Sequence, residues 1–287
     1  MKIQKAIMNI LIIQENGRHE KNRNFRECFS MQRSLQKLDH QTIVWGLGHD
    51  NYKNVPNWNS FDLILNLENY DHSGWVPDLS HTTNPIKFLW SIDAHCRGLK
   101  SFLDTYHSGK YNLILQATED FVDENSVWFP NCYDRTLIKP SSPKTDFLGF
   151  CGSLLNREQL LNFLSSKYGL KKDIWKLGND MVQTVSSYRI HFNINLANDI
   201  NYRSFETLGC GTMLLTNYNP QYEKLGFVDG ENCMMYKDID ELCNKIEACQ
   251  LDPDMVSSIT ESGVELVKSH TYDERAQRLI NVYEEMR

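Results

Sequence analysis

Asn201-Tyr202-Arg203-Ser204-Phe205-Glu206-Thr207-Leu208-Gly209-Cys210-Gly211-Thr212-Met213-Leu214-Leu215-Thr216 is the most informative stretch of the 287-residue chain. It predicts a short helix bearing Arg203 and Glu206, a glycine pair at 209 and 211, and an apolar strand over Thr212–Thr216. An arginine can hold a diphosphate through two parallel N–H groups. A helix N-terminus adds N–H donors without intrahelical partners and the positive end of the helix dipole. A carboxylate one turn further on can accept from both hydroxyls of a ribose. Gly209 and Gly211 allow a tight passage from helix to strand. The plain alternative is an exposed i,i+3 ion pair, worth only ~0.2–0.5 kcal/mol.

Working outward, the second half of the chain predicts a strand over Asp146–Cys151, a turn at Gly152-Ser153 and a helix over Arg157–Leu164. Strands at His191–Leu196 and Thr212–Thr216 follow, then helices at Asp240–Ala248, Asp254–Lys268 and Thr271–Met286. The first half repeats the pattern. Strands are expected at Ile7–Ile13, Thr42–Trp45, Phe61–Leu67, Ile86–Trp90 and Leu113–Gln116, with a helix over Asn24–Leu38. Strands alternating with helices imply mostly parallel sheets. Between the halves, Trp128–Lys144 contains Pro130, Pro140 and Pro143 and reads as a linker. The expected fold class is α/β, with two Rossmann-like domains at 1–140 and 145–287 facing across a cleft. The last helix closes the chain and has the option of packing back on the first domain. In such sheets ligands bind outside the carboxyl ends of the strands.

The bulk composition is that of a globular protein, with 41% hydrophobic and 23% charged residues. No run approaches the ~20 apolar residues that span a bilayer. Met1–Ile7 lacks the apolar core of a signal peptide, so a cytoplasmic location is expected. The eight cysteines form no C-x-x-C pair and no zinc-finger spacing, and they read as small buried hydrophobes. A net charge of −7 excludes a global basic field. Glu15–Lys37 is locally basic, with Arg18, Lys21, Arg23, Arg26, Arg33 and Lys37 against three glutamates. That is either a solvated helix face or a local anion site.

The 201–216 pattern resembles the donor-binding signature of glycosyltransferases with the GT-B fold. More narrowly it is similar to the CgeB-like, group 1 enzymes. The likeness continues through Tyr222-Glu223-Lys224-Leu225-Gly226-Phe227, Gly230-Glu231-Asn232, Met235-Tyr236 and Asp240-Glu241-Leu242, and ends at His270-Thr271-Tyr272-Asp273-Glu274-Arg275. Gly149-Phe150-Cys151-Gly152-Ser153 with Asn156-Arg157 resembles the start of the family's second domain. The resemblance implies that Glu206 binds the nucleotide ribose and that Arg203 neutralises the leaving diphosphate. It also implies that Gly152 and Ser153 meet the phosphates through backbone N–H groups and that Asn201 contacts the donor. Related retaining enzymes often have a second glutamate where this chain has Asn198, and Asn198, Asp199 or Asn201 is left to meet the sugar.

The resemblance implies an enzyme, a hexosyl- or pentosyltransferase that moves a sugar from a nucleotide-diphosphate sugar to a hydroxyl acceptor, with retention of configuration. UDP-sugars lead the donor candidates. No cofactor or metal is expected. In the first half, Asp93 and His95 follow a predicted strand and are candidates to orient the acceptor hydroxyl or take its proton. The alternative is a strand end at which Asp93 starts a helix. Gly17, Arg18 and His19 lie in the first strand-to-helix loop and are candidate acceptor contacts, with solubility as their plainer explanation. His72, His81, His107 and His191 have no partner that the sequence assigns. Acceptors consistent with these features include 5-hydroxymethylcytosine in phage double-stranded DNA, and a cell-surface glycan, lipid-linked sugar or protein. A non-catalytic, spore-coat-like nucleotide-sugar-binding protein is the competing class. A dinucleotide oxidoreductase is disfavoured because no G-x-G-x-x-G follows the first strand.

Overall fold

The computed structural model describes residues 6–71 and 73–287. The features read at Met1–Lys5 and at His72 lie outside the described residues. The chain divides into two compact units. The first comprises 1–130 together with Tyr272–Arg287, and the second comprises 131–271.

The first unit runs β1 (Asn9–Ile13), α1 (Glu27–Lys37), β2 (Gln41–Trp45), β3 (Leu63–Leu67), β4 (Ile86–Ser91), α2 (Ala94–Arg97), α3 (Leu99–Gly109), β5 (Leu113–Gln116) and β6 (Ser126–Trp128). Its strands form one sheet in the order β2-β1-β3-β4-β5-β6, with every pair parallel. Ile10, Leu11, Ile12 and Ile13 are fully buried. β1 is therefore a continuous apolar run rather than an alternating one, as a strand covered on both faces requires. Leu11 and Ile13 pack with Trp45, Ile64 and Leu89 on one side of the sheet.

The helix expected over Asn24–Leu38 is interrupted. Glu20–Phe25 is a 3₁₀ turn, and Arg26 between it and α1 is extended, at φ −64° and ψ 149°. Arg26 turns inward, with only 7% of its surface exposed, and pairs with Glu15 at 3.5 Å and Glu27 at 3.3 Å.

The second unit runs β7 (Asp146–Gly152), α4 (Glu158–Tyr168), β8 (Lys171–Ile174), α5 (Gly178–Ser187), β9 (Tyr188–Asn193), α6 (Tyr202–Gly209), β10 (Met213–Asn217), α7 (Pro220–Lys224), β11 (Met234–Tyr236), α8 (Ile239–Leu251) and α9 (Pro253–Val267). Its sheet has the order β11-β10-β9-β7-β8, again all parallel. Leu148, Phe150, Ile190, Phe192, Met213 and Leu215 form its core with helix residues such as Leu161, Ile246 and Ile259. The strand expected at His191–Leu196 starts and ends three residues earlier, because Asn195 leaves the ladder to join a side-chain network. β6, β8 and β11 are short strands that the pattern reading omitted.

The division between units falls between Pro130 and Asn131, early in the proline-rich stretch rather than at 140–145. Residues 131–140 are fastened to the second unit. Asn131 Nδ2 donates to the Ile200 carbonyl at 3.0 Å, and the Tyr133 N–H donates to the His270 carbonyl at 3.1 Å. The Tyr133 ring and Ile138 fill the space where a Cβ on Gly209 would sit. Gly209 is thus needed for close packing, whereas Gly211, at φ +67°, supplies the left-handed turn into β10. The last helix, α10 (Tyr272–Met286), is counted with the first unit. Asp273 accepts from Ser34 at 2.8 Å and Lys37 at 2.9 Å, and Arg275 Nε donates to the Pro130 carbonyl at 2.7 Å. Among the described residues no helix is long and apolar enough to cross a membrane.

Candidate functional site

In the second sheet β7 is flanked by β8 on one side and β9 on the other, so the winding reverses between β7 and β9. The crevice at such a reversal, outside the strand ends, is where open α/β sheets take their ligands. The turn after β7 supplies Gly152 and Ser153. Arg157 Nη1 donates to the Ser153 carbonyl at 3.2 Å and to its Oγ at 3.3 Å, while Nη2 donates to the Ile194 carbonyl at 3.1 Å. One guanidinium thus clamps the ends of β7 and β9 together. Burial lowers the Arg157 pKa, and the Asp199 carboxylate opposes that shift. An open pocket lined by Leu154, Leu155, Asn156, Glu158 and Gln159 adjoins this turn.

Arg203 and Glu206 lie on α6. Arg203 Nη1 donates to Glu206 Oε2 at 2.7 Å, with the two side chains 21% and 17% exposed. The i,i+3 pair is real, but it is mostly buried rather than a feature of the solvated surface. Burial works to lower the Arg203 pKa. The Glu206 charge, with Cys151, Cys210 and Tyr188, outweighs it, and the pKa is raised. The side chain stays cationic at any pH where the protein is folded.

His191 sits beneath this pair. Its ring is wholly buried and lies between Phe150 and Tyr188, nearly parallel to both. The Cys151 N–H donates to Nε2 at 3.1 Å, so Nε2 carries no proton. The ring proton is therefore on Nδ1, 2.8 Å from Thr207 Oγ1, and the Thr207 hydroxyl donates onward to the Arg203 carbonyl at 2.6 Å. This chain ties α6 to β7 through β9. Burial, then the nearby Arg203 charge, hold the His191 pKa well below 6.5.

The loop from Asn195 to Asn201 is braced by amides. Asn195 exchanges hydrogen bonds with Asn217 at 2.8 and 3.2 Å, and its Nδ2 donates to Tyr222 Oη at 2.9 Å. Tyr222 Oη also lies 2.7 Å from Ser204 Oγ on α6. The carbonyls of Asn198 and Asp199 accept from Gln221 and Asn219. Asn201 precedes α6, and its N–H donates to Asn195 Oδ1 at 3.2 Å. Its own Oδ1 is buried and makes no hydrogen bond within the protein. Asn201 therefore offers an acceptor beside Arg203, whereas Asn198 is exposed and Asp199 is buried. Of these residues Asn195, Asn217 and Tyr222 escaped the sequence reading as supports, because their partners are brought together only by the fold.

In the first unit the residues disperse more. Gly17 is buried, and the Arg26 side chain packs where its Cβ would lie, 3.3 Å away. Arg18 and His19 are exposed. Of the basic residues in this segment, Arg26 and Lys37 are committed to carboxylates, which shrinks the anion-binding patch. Asp93 stands at the start of α2 without capping it by its side chain, and His95 is on that helix. Glu68, unmarked in the sequence, organises them. Its Oε2 accepts from both the Ile92 and Asp93 N–H groups at 2.7 Å, and Oε1 lies 2.5 Å from Arg97 Nε. Burial pushes the Glu68 pKa up to about 7, with the Asp93 charge adding to the rise and the N–H donors and Arg97 opposing it.

Among the described residues no three His, Cys, Asp or Glu side chains are grouped to hold a metal ion. A second pocket of similar volume lies at the ends of β10 and β11, lined by residues including Tyr218, Phe227, Asp229 and Lys237. Its lining includes Glu223, Phe227, Met235 and Glu241 from the stretches that carry the resemblance, and none of Gly152, Ser153, Asn201, Arg203 and Glu206.

Residues 157–281 match the model of a family described as glycosyl transferase-like. No curated protein matches the sequence. Solved structures match almost the whole chain at low identity. HepE of Anabaena, in complex with UDP and glucose, is 11% identical with a TM-score of 0.62, over 97% of this chain and 100% of that one. A glycosyltransferase from Rickettsia africae is 12% identical with a TM-score of 0.65, over 98% and 99%. An α-glucosyltransferase in complex with UDP and a mismatched 13-mer DNA is 10% identical with a TM-score of 0.69, over 98% and 100%. Such identities speak for the fold alone. The chain has the two-domain α/β fold of GT-B glycosyltransferase structures, and its residues 157–281 resemble the glycosyl transferase-like family.

Proposed function

We propose that this enzyme moves a sugar from a UDP-sugar to a hydroxyl acceptor, with retention of anomeric configuration and without a metal ion. The observation that carries the reading is the largely buried Arg203–Glu206 pair at the winding reversal of the second sheet. The choice of UDP is supported by the HepE and α-glucosyltransferase complexes, which hold UDP or UDP-glucose. The narrower kinship with CgeB-like enzymes rests on residues 201–211.

In this reading the backbone N–H groups of Gly152 and Ser153 receive the phosphates. Arg203 balances the charge that grows on the diphosphate as its bond to the sugar breaks, and a fixed guanidinium needs no reorganisation to do so. Glu206 fixes Arg203 and accepts from the ribose. The free Oδ1 of Asn201 accepts from a sugar hydroxyl, the task otherwise given to a second glutamate. Asp93 and His95 handle the acceptor hydroxyl and its proton. Incubation with UDP-glucose and no acceptor tests the donor half. Slow release of UDP, insensitive to EDTA, is expected. A protein that binds UDP-glucose but never releases UDP, with any acceptor, is a binding protein and not the enzyme proposed.

The acceptor half has two readings. Hydroxymethylated cytosine in duplex DNA is supported by the α-glucosyltransferase structures that contain DNA and by the exposed Arg18, Lys21 and Arg23. A glycan hydroxyl is supported by the acidic net charge and by the commitment of Arg26 and Lys37 to carboxylates. Affinity for hydroxymethylated duplex that falls steeply as salt rises selects the first.

Glu68 gives this reading a pH dependence. Only its ionised form pairs with Arg97 while accepting from Ile92 and Asp93, so the turn carrying Asp93 is best ordered above pH 7. We expect kcat/KM for transfer to rise with pH through an inflection near 7, and Glu68→Gln to flatten that limb. A pH–rate profile left unchanged by the substitution rules this role out.

A further inference from the structure

On the β8 side, the donor-binding sheet ends in an indole that the rest of the unit leaves uncovered. Trp175 follows β8 directly and is 68% exposed, more than any other aromatic side chain among the described residues. Its backbone is also strained. Trp175 has φ +57°, and the other non-glycine residues described with positive φ are Asp39, Lys110 and Asn156. Aspartate and asparagine tolerate that region through their short polar side chains, and a bulky aromatic does not. Strain of this kind persists where the surroundings impose it, and such positions cluster at ligand sites. Here the surroundings are the phosphate turn itself, since the Trp175 N–H donates to the Gly152 carbonyl at 3.4 Å. The left-handed backbone thus fastens residue 175 to Gly152 while its ring stays in solvent.

We infer that the Trp175 indole is the platform on which the nucleobase of the donor stacks, an assignment that rests on the nucleotide-sugar reading above. Position favours a base over the transferred sugar. Ile174 is in register with Gly152 across the β7–β8 pair, so the indole emerges one strand, ~4.8 Å, from the turn assigned to the phosphates. Arg203, assigned to the leaving diphosphate, lies on the opposite flank, on α6 beyond β9. A nucleotide with its diphosphate between Ser153 and Arg203 has its base free to reach toward β8. An exposed indole has a flat π-face and no competing ring packed on it, which suits any base. Its contribution therefore sets affinity for nucleotides as a class, and selection among bases falls to other groups.

The test uses the intact protein and intrinsic fluorescence. Trp45, Trp75 and Trp90 are buried, and Trp58 and Trp128 are partly so, which leaves Trp175 as the most solvent-exposed emitter of the six tryptophans. Titration with UDP is expected to quench the red edge of the emission, and Trp175→Ala is expected to abolish that change. The same variant should weaken UDP by roughly tenfold or more, the usual range for loss of one base–aromatic stack. It should weaken inorganic pyrophosphate, which has no base, far less. Trp175→Phe should recover most of the UDP affinity. A Trp175→Ala protein that binds UDP within twofold of wild type overturns the assignment, as does UDP binding by wild type, seen as a thermal shift, with no change in emission. Wild-type protein that binds no nucleoside diphosphate at all overturns the donor reading itself.

Discussion

Arg203→Ala is expected to lower kcat by roughly 10²- to 10³-fold in both donor hydrolysis and transfer, the range seen when one fixed donor to a developing oxyanion is removed. The size follows from where the guanidinium sits. It is held by Glu206 at 2.7 Å, its side chain is 21% exposed, and its helix is anchored through Thr207 and His191 to β7. A charge fixed in advance in a water-poor site acts on the transition state at little reorganisation cost. The same charge on a mobile surface side chain is screened. Arg203→Lys keeps the charge and loses the planar fork, so an intermediate loss is expected. Glu206→Gln separates the roles. It should weaken UDP binding more than it slows the chemical step, because a ribose contact is present before and after the sugar leaves. UDP release under saturating UDP-glucose measures all three variants, with thermal unfolding as the control for folding. An Arg203→Ala enzyme within fivefold of wild-type kcat sinks the proposed role.

The parts of this site visible in the sequence are those made by neighbours along the chain. Arg203 and Glu206 are three residues apart, so any helix brings them together. β1 and β3 are buried on both faces, so they read as apolar runs, broken in β3 only by Asn66. β8 is the opposite case. Its residues Lys171-Lys172-Asp173-Ile174 form a sheet edge, paired with β7 alone, where lysines are tolerated and the apolar signal disappears. That strand also carries Trp175 to its place, so missing the strand meant missing the indole. Glu68 was invisible for another reason. Its partners Ile92, Asp93 and Arg97 lie more than twenty residues away, and only the β3–β4 pairing makes them neighbours. The prolines at 130, 140 and 143 did mark a change along the chain. The boundary itself was decided by long-range bonds from Asn131 and Tyr133, which no composition shift records.

His191→Leu is expected to cost roughly 2–4 kcal/mol of folding stability, because it strands the Cys151 N–H and the Thr207 hydroxyl without their ring partner in a dry interior. Wild type should also carry a pH signature that the variant lacks. The folded-state pKa of His191 lies well below 6.5, the usual value for the ring in an unfolded chain. Above pH 6.5 the ring is neutral in both states and contributes no pH dependence. Below 6.5 the unfolded chain takes up a proton that the folded protein refuses, since the ring is fully buried and the Arg203 charge is nearby. Stability is then lost at about 1.4 kcal/mol per pH unit until the folded pKa is reached. Denaturant unfolding of wild type and His191→Leu at pH 7.5 and pH 5.5 isolates the effect, because other titrating groups cancel in the difference. The gap between the two proteins should narrow on acidification. A gap that stays constant would mean the ring is not held neutral by its contacts. The functional consequence follows from the Thr207 bond to the Arg203 carbonyl. If α6 is held in register through His191, the variant should lose kcat at pH 7.5 while still folded, although residue 191 touches no substrate. Activity unaltered in a folded His191→Leu protein would show that Arg203 keeps its place by the Glu206 pair alone.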